Sequence, residues 1–271
     1  MSNKQKSEGS GIGAFFAATV ILSSILVCVL VYMFIMGNPS NFEGGDPILG
    51  HPLPGNTLGI VYKGGFIVPI LMSIVVIIMA FSVERYMTIS KAKGKGKINV
   101  FIRNLQNMIS NNQIEAAAKE CDKQQGSLAN VMKAGLEKYS QLQNDATKDK
   151  EQKVIAMQKE IEEATSLELP MLSKNLIIIS TMASISTLVG LIGTVLGMIK
   201  AFSALAQAGA PDAVALANGI SEALINTALG ITGSTIAIIM YNYFTTQIDQ
   251  LTYKIDESGY SLVSTFESQT K

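Results

Sequence analysis

LIIISTMASISTLVGLIGTVLGMI, at Leu176–Ile199, and AVALANGISEALINTALGITGSTIAIIMYNYF, at Ala213–Phe244, decide the fold. Each run is long enough to cross ~30 Å of hydrocarbon as a helix, which takes roughly 20 residues. A short polar loop containing Ala210-Pro211-Asp212 joins them. Neither run is uniformly greasy. In the first, Ser180, Thr187 and Thr194 recur every heptad and so share one helix face, with a drift of only ~20° per repeat. Gly190, Gly193 and Gly197 lie beside that stripe and allow a close backbone neighbour. In the second, Gly219, Ala223, Asn226, Gly230, Gly233 and Ala237 form a seam of small residues at steps of three and four. Thr227 and Ser234 stand one heptad apart next to it, and Glu222 and Asn226 add a polar line at i and i+4. Such a pattern serves helix packing, with each hydroxyl bonding its own helix. It equally serves a polar path for an ion, held tight by the glycines. The seam alone does not decide between them.

The wording of the runs is more specific. Val189-Gly190-Leu191-Ile192-Gly193-Thr194-Val195-Leu196-Gly197-Met198-Ile199, followed by Lys200-Ala201-Phe202, resembles the GLxGTVxGMxxxF signature of the MotA/TolQ/ExbB proton-channel family. Gly219-Ile220-Ser221-Glu222-Ala223-Leu224-Ile225-Asn226-Thr227-Ala228-Leu229-Gly230 resembles the partner signature GIxEALxxTAxG, closed by Tyr241-Asn242. The resemblance covers residues 64–250 and favours the ExbB/TolQ branch over the flagellar one. Two positions depart from it: Thr187 and Ile236 stand where many members have proline. Proline bends a helix by removing a backbone hydrogen bond, so straighter helices are expected here.

Composition agrees with a membrane protein. The chain has 271 residues, 48% hydrophobic and 15% charged, against ~25% charged in a soluble domain. Acids and bases balance at 21 each, which gives no net pull toward nucleic acid. Cys28 in an apolar run and Cys121 in a polar one offer neither a disulfide framework nor metal-ligand spacing. The single histidine, His51, falls in a Pro/Gly loop and reads as a solvated residue.

Ile12–Met36 is apolar and uncharged after a polar start carrying Lys4 and Lys6. It exceeds the ~7–15 residue core of a signal peptide and reads as a retained span within residues 1–36. The family's enterobacterial-type members have three spans, so this one is additional, and the resemblance gives it no role. Residues 37–63 are rich in Gly, Pro and Asn, a loop with a short turn at Leu58–Tyr62. A second span covers residues 64–83 and ends at Glu84-Arg85-Tyr86. Lys91, Lys93, Lys95 and Lys97 follow, which the positive-inside rule places in the cytoplasm. Anionic lipid headgroups suit that run better than nucleic acid. The 37–63 loop is then periplasmic, both termini are cytoplasmic, and four helices cross the membrane.

Residues 84–173 form a cytoplasmic segment with helical periodicity. Ile98, Phe101, Ile102, Leu105, Met108 and Ile109 mark one amphipathic helix, and Ile114–Lys119 opens a second. Leu128, Val131, Met132, Leu136 and Tyr139 mark a third. After a break at Gln143-Asn144-Asp145, Val154, Ile155, Met157, Ile161 and Leu167 mark a fourth, with Pro170 as its expected bend or boundary before the third span. No phosphate-binding glycine loop, nucleophile–base pair or HExxH-type ligand set occurs, so no enzyme activity, cofactor or metal is expected. Residues 247–271 read as a cytoplasmic tail, a helical extension that then loosens. The predicted fold class is an all-α integral membrane protein with four transmembrane helices and a helical domain between the second and third.

Ionisable groups within a bilayer are costly and usually functional. Leu176–Ile199 has none, Lys200 comes at its end, and Glu222 is the sole acid of the last span. A proton path here therefore needs a carboxylate from another chain. The resemblance implies one: a single-span ExbD/TolR-like subunit whose membrane aspartate faces hydroxyls of the larger subunit. By motif position, Thr194 and Thr227 match the family's pore-facing threonines and Glu222 its helix-entry glutamate. Glu222, Thr187, Ser234 and Asn226 extend the polar path for the proton, and Gly190, Gly193, Gly197, Gly230 and Gly233 supply helix packing. Residues 174–246 form the proton-channel core. The resemblance further implies a bacterial inner-membrane stator, a pentameric homo-oligomer that turns proton-motive force into work on a TonB-like protein for outer-membrane transport. A TolQ-like motor acting on a TolA-like protein, or a non-conducting membrane scaffold, are the alternatives.

Overall fold

The computed structural model describes residues 5–48, 50–143, 147–206 and 212–269. Lys4, Asn144, Asp145, Ala210, Pro211 and the last two residues lie outside them, and with them part of both polar breaks and the end of the tail. The described residues contain helices α1 (Gln5–Leu30), α2 (Thr57–Tyr62), α3 (Ile67–Ala92), α4 (Ile98–Ser110), α5 (Ile114–Gln124), α6 (Ser127–Gln143), α7 (Lys150–Ser173), α8 (Leu176–Leu205) and α9 (Ala213–Gln269). Among them there is no β-strand, only an isolated bridge between Phe42 and Pro52. Four of the helical segments are long and apolar enough to cross a membrane: Ala17–Met36, Ile67–Ala92, Lys150–Leu205 and Ala213–Gln269. The protein is an all-α, multi-pass membrane protein.

The chain forms two compact units, residues up to Ser82 with Ile178–Tyr241, and Val83–Ile177 with the residues from Asn242 onward. In the first unit α1 opens into a π-helical turn at Val31–Met36. Asn41 closes that turn, its Nδ2 donating to the carbonyls of Ile35 and Met36 at 2.8 and 3.0 Å. The Asn41 Oδ1 accepts in turn from Asn56 Nδ2 at 2.9 Å, while Asn56 caps α2 by accepting from Gly59 N at 3.0 Å. The described residues of 37–63 are thus a loop organised into a cap, because paired asparagines satisfy backbone groups that a helix end leaves free. His51 is exposed on it. The core lies on α3, through Val68, Leu71, Ile78 and Phe81, and on Ile179, Ala183, Ala223 and Ala237 of the later helices.

The second unit is a helical bundle. Phe101, Leu105 and Ile109 of α4, Leu128, Val131, Met132, Leu136 and Tyr139 of α6, and Met157 and Ile161 of α7 are buried. Ile155 and Leu167 of α7 instead face outward. The C-terminal part of α9 is a core strut. Ile248, Leu251, Ile255, Leu262 and Phe266 are buried at alternating steps of three and four or a full heptad. The Tyr139 ring meets Phe266 edge-on at 4.8 Å and its hydroxyl bonds Gln269 Oε1 at 2.6 Å. This corrects the loosening tail: the helix runs on to Gln269 because this stripe is covered. Gly135 and Gly259 let Leu262 and Ile161 come within 2.8 Å of where their Cβ atoms would stand.

Two further expectations change. The second helix does not stop at Val83 but continues to Ala92. Arg85 on it is 2% exposed, paired with Glu84, and donates from Nη1 to the carbonyl of Leu172 at 3.2 Å. The helix before the third span does not break at Pro170, which stays inside α7. It breaks at Lys174 and Asn175, where Asn175 adopts a left-handed φ of 64°, and the Arg85 guanidinium occupies the freed carbonyl. A cation at a helix C-terminus also meets the negative end of its dipole.

Candidate functional site: a hydroxyl pair and an ion pair between the last two spans

Glycines bring α8 and α9 together. A Cβ on Gly190 would lie 2.9 Å from the Asn226 carbonyl oxygen and 3.0 Å from Gly230 Cα. One on Gly197 would lie 2.7 Å from both Ala223 N and the Gly219 carbonyl oxygen. These contacts are backbone on backbone, which only glycine permits. One on Gly193 would meet the Asn226 side chain at 2.5 Å, and one on Gly230 would lie 2.8 Å from the Ser186 carbonyl oxygen. Ser186 is fully buried and donates from Oγ across to the Gly230 carbonyl at 2.9 Å. A Cβ on Gly233 would meet Ser186 Oγ and, at 3.2 Å, Cγ2 of Val75 on α3.

This approach places the Thr194 and Thr227 hydroxyls in hydrogen-bond contact with each other. Each also reaches a carbonyl on its own helix, Thr194 that of Gly190 and Thr227 that of Ala223, both at 3.1 Å. Both side chains are half-buried. An open, mostly apolar groove of about 570 Å³ runs along α8 from Thr194, lined by Thr194, Val195, Met198, Ile199, Phe202, Ser203 and Ala206. A threonine hydroxyl offers one proton and two lone pairs, so the pair can exchange donor and acceptor roles with a third group in the groove. Thr187 faces outward, its hydroxyl 3.5 Å from the Ala183 carbonyl, and Ser234 is half-buried. Neither bonds the Thr194–Thr227 pair.

About one and a half turns along α9 from Thr227, the Glu222 carboxylate accepts from Lys200 Nζ with both oxygens, at 2.6 and 2.8 Å. Glu222 is buried while the Lys200 side chain remains half-exposed. Asn226 is fully buried; its Nδ2 donates to the Gly64 carbonyl at 2.9 Å, and its Oδ1 has no protein partner. Among the described residues, no group of three or more His, Cys, Asp or Glu is placed to hold a metal.

Lys91 lies in the last turn of α3, and Lys93, Lys95 and Lys97 lead from it to α4. All four are exposed, and the Lys93 ammonium bonds Gln247 Oε1. Sequence reasoning noted Lys200 only as a helix end. The signal was present: Lys200 and Glu222 each follow by three a glycine of the Gly197–Gly219 contact, so once those glycines touch, the charges meet. Ser186 sits one turn before Gly190 on the same face. Nothing local marked Gly64 and Gly65.

Residues 123–257 match the model of the MotA/TolQ/ExbB proton channel family. The chain belongs to that family. The chain is 32% identical over 121 residues to a Tol-Pal system protein TolQ of Pseudomonas aeruginosa, covering 45% of this chain and 52% of that one. It is 40% identical over 70 residues to a biopolymer transport protein ExbB of Salmonella typhimurium, covering 26% and 29%. A TolQ of Haemophilus influenzae is 35% identical over 88 residues, covering 32% and 39%. The matched stretches thus span about half or less of these relatives, and their names agree with the ExbB/TolQ branch. Thr194, Thr227, Glu222, Lys200, Asn226 and Ser186 all fall inside the family match, whereas Gly64, Gly65 and the cap at residues 37–63 fall outside it.

Proposed function

We propose that this chain is the large membrane subunit of a proton-driven motor of the ExbB/TolQ kind. The observation that carries the reading is the Thr194–Thr227 hydroxyl pair, with Thr194 at the head of an open groove along α8, on two spans that supply no free carboxylate beside it. Glu222, the acid of the last span, is engaged by Lys200. Hydroxyls alone relay a proton but do not hold one at neutral pH. The carboxylate comes from a second, single-span chain of the ExbD/TolR type seated along α8. Several copies of this chain surround that span, five by the family's pattern, with the glycine contacts fixing each α8–α9 pair.

The motor sits in a bacterial inner membrane. Lys91–Lys97 mark the cytoplasmic side and contact anionic headgroups, both termini are cytoplasmic, and the cap at residues 37–63 is periplasmic. Work passes to a TonB-like protein for outer-membrane transport; a TolA-like protein is the alternative client. The domain boundaries follow: an additional span in 1–36, the channel core at 174–246, and a cytoplasmic bundle between the second and third spans that α9 completes. Capture of the tagged chain from its own membranes tests the assembly. It should bring a homo-oligomer with a small single-span chain carrying an aspartate or glutamate within its span. A chain that purifies alone as a monomer, with energised output intact in the same cells, would remove the motor reading.

A further inference from the structure

The additional first span has no role in the family pattern, yet a continuous set of contacts leads from it to the ion pair. Tyr32, in the π-turn that ends this span, stacks on Tyr62 of α2 with ring centroids 4.6 Å apart and donates its hydroxyl to the Tyr62 carbonyl at 3.0 Å. Gly37 makes room for that ring, since a Cβ there would stand 2.7 Å from Tyr62 Cε2. Directly after Tyr62 the chain turns through Lys63-Gly64-Gly65, closed by the Gly65 N–H donating to the Tyr62 carbonyl at 3.1 Å. The Gly64 carbonyl is the acceptor for Asn226 Nδ2. Gly65 adopts a φ of 77°, and a Cβ on it would stand 2.5 Å from Glu222 Oε1. The turn therefore lies on Glu222 and Asn226, the two polar side chains of α9 that precede Thr227, touching both.

The geometry points to a positioning role for this turn: Gly64 and Gly65, held from the first span by Tyr32 and Tyr62, fix Asn226 and press Glu222 onto Lys200. This rests on the reading of Glu222 as part of the ion path, and it gives the first span a task within that reading. A bare glycine is needed at residue 65 twice over, for the left-handed φ that an L side chain enters only with strain, and for the space the carboxylate fills. Glu222 is thereby confined between an ammonium and a backbone turn, and its position depends on a segment outside the family match.

The test uses the full-length chain purified with the partners it carries from its own membranes. A zero-length carbodiimide joins Lys200 to Glu222 only where the two are in contact, and mass spectrometry of peptides reads the yield. Gly65→Ala should lower that yield at least fivefold. Adding Glu222→Asp should restore the Lys200 cross-link to at least half the yield of Glu222→Asp alone, because the shorter side chain withdraws from the added methyl; general disruption of the fold would not be relieved this way. Tyr32→Phe keeps the stacked ring, loses the bond to Tyr62, and should lower the yield at least twofold; it carries the test alone if Gly65→Ala does not accumulate. An unchanged yield in Gly65→Ala, no recovery with Asp, or an unchanged yield in Tyr32→Phe overturns the inference. Output in cells separates the two levels. If the cross-link is lost and recovered as described while energised output stays normal throughout, the positioning stands and the ion-path role of Glu222 falls.

Discussion

Gly197→Ala adds one methyl where α8 lies on the backbone of α9, 2.7 Å from Ala223 N and from the Gly219 carbonyl oxygen. Neither atom can turn aside. Restoring ordinary contact parts the helices by roughly 0.7 Å, and a gap of that size forfeits a quarter to a half of the dispersion attraction between atoms along the seam. Overpacking of this kind costs about 1–3 kcal/mol, offset by up to about 1 kcal/mol because alanine is the better helix former. A net loss of about 1–2 kcal/mol is expected, and with it weakening of the Lys200–Glu222 and Thr194–Thr227 contacts on either side. Gly233→Ala is the internal comparison. Its methyl meets the Ser186 hydroxyl and Val75 Cγ2, both side-chain atoms. Ser186 can rotate, giving up its bond to Gly230 at about 1 kcal/mol, which the helix propensity gain of about 1 kcal/mol cancels. Reversible unfolding of the purified chain in mixed micelles with rising denaturing detergent ranks the two. Gly197→Ala should be clearly less stable than the parent and Gly233→Ala close to it. Equal stabilities, or the reverse order, would refute the claim that backbone contact at Gly197 sets the helix spacing.

Two other outcomes follow from the same geometry. In a background lacking Cys28 and Cys121, a cysteine at Ile48, which is 80% exposed on the cap, should react with a membrane-impermeant maleimide from the periplasmic side and one at Lys95 should not; labelling of residue 95 from outside would invert the orientation. Burial pushes the Cys121 thiol up to about 12, so the reactive thiolate is scarce at pH 8 and alkylation of the native chain should be slow and accelerate as pH rises toward about 12, whereas rapid alkylation at pH 8 would show that α5 does not stay packed.

Helix number, the two spans bearing the motifs and the amphipathic faces of the segment between the second and third spans were legible because burial imposes a period on the sequence, as in Phe101, Leu105 and Ile109. The Gly190, Gly193 and Gly197 face was legible for the same reason. What escaped were contacts set by the meeting of distant segments. Arg85 follows Glu84 at the expected end of the second span, and nothing in the sequence ties it to the break at Lys174 and Asn175 that delivers a carbonyl to it. The tail was misread because Ile248, Leu251 and Ile255 are interspersed with polar residues, and only their covering by the bundle holds the helix together. Lys200 and Glu222 are far apart in sequence, and their pairing depends on the register that the Gly197–Gly219 contact fixes. The Gly64–Gly65 turn carried no sign at all, since two glycines before a span also mark an ordinary loop.

The most direct test of the account is Thr194→Val combined with Thr227→Val. Valine keeps nearly the shape of threonine and removes the hydroxyl, so the α8–α9 spacing set by the glycines should survive while the group that would meet the partner's carboxylate is lost. Oligomer mass with the partner bound and energised output in cells lacking the parent copy are measured together. The account predicts an assembled complex of parental mass whose output falls at least tenfold. An assembled double variant with parental output would contradict it, leaving the hydroxyl pair as helix packing and the chain as a membrane scaffold.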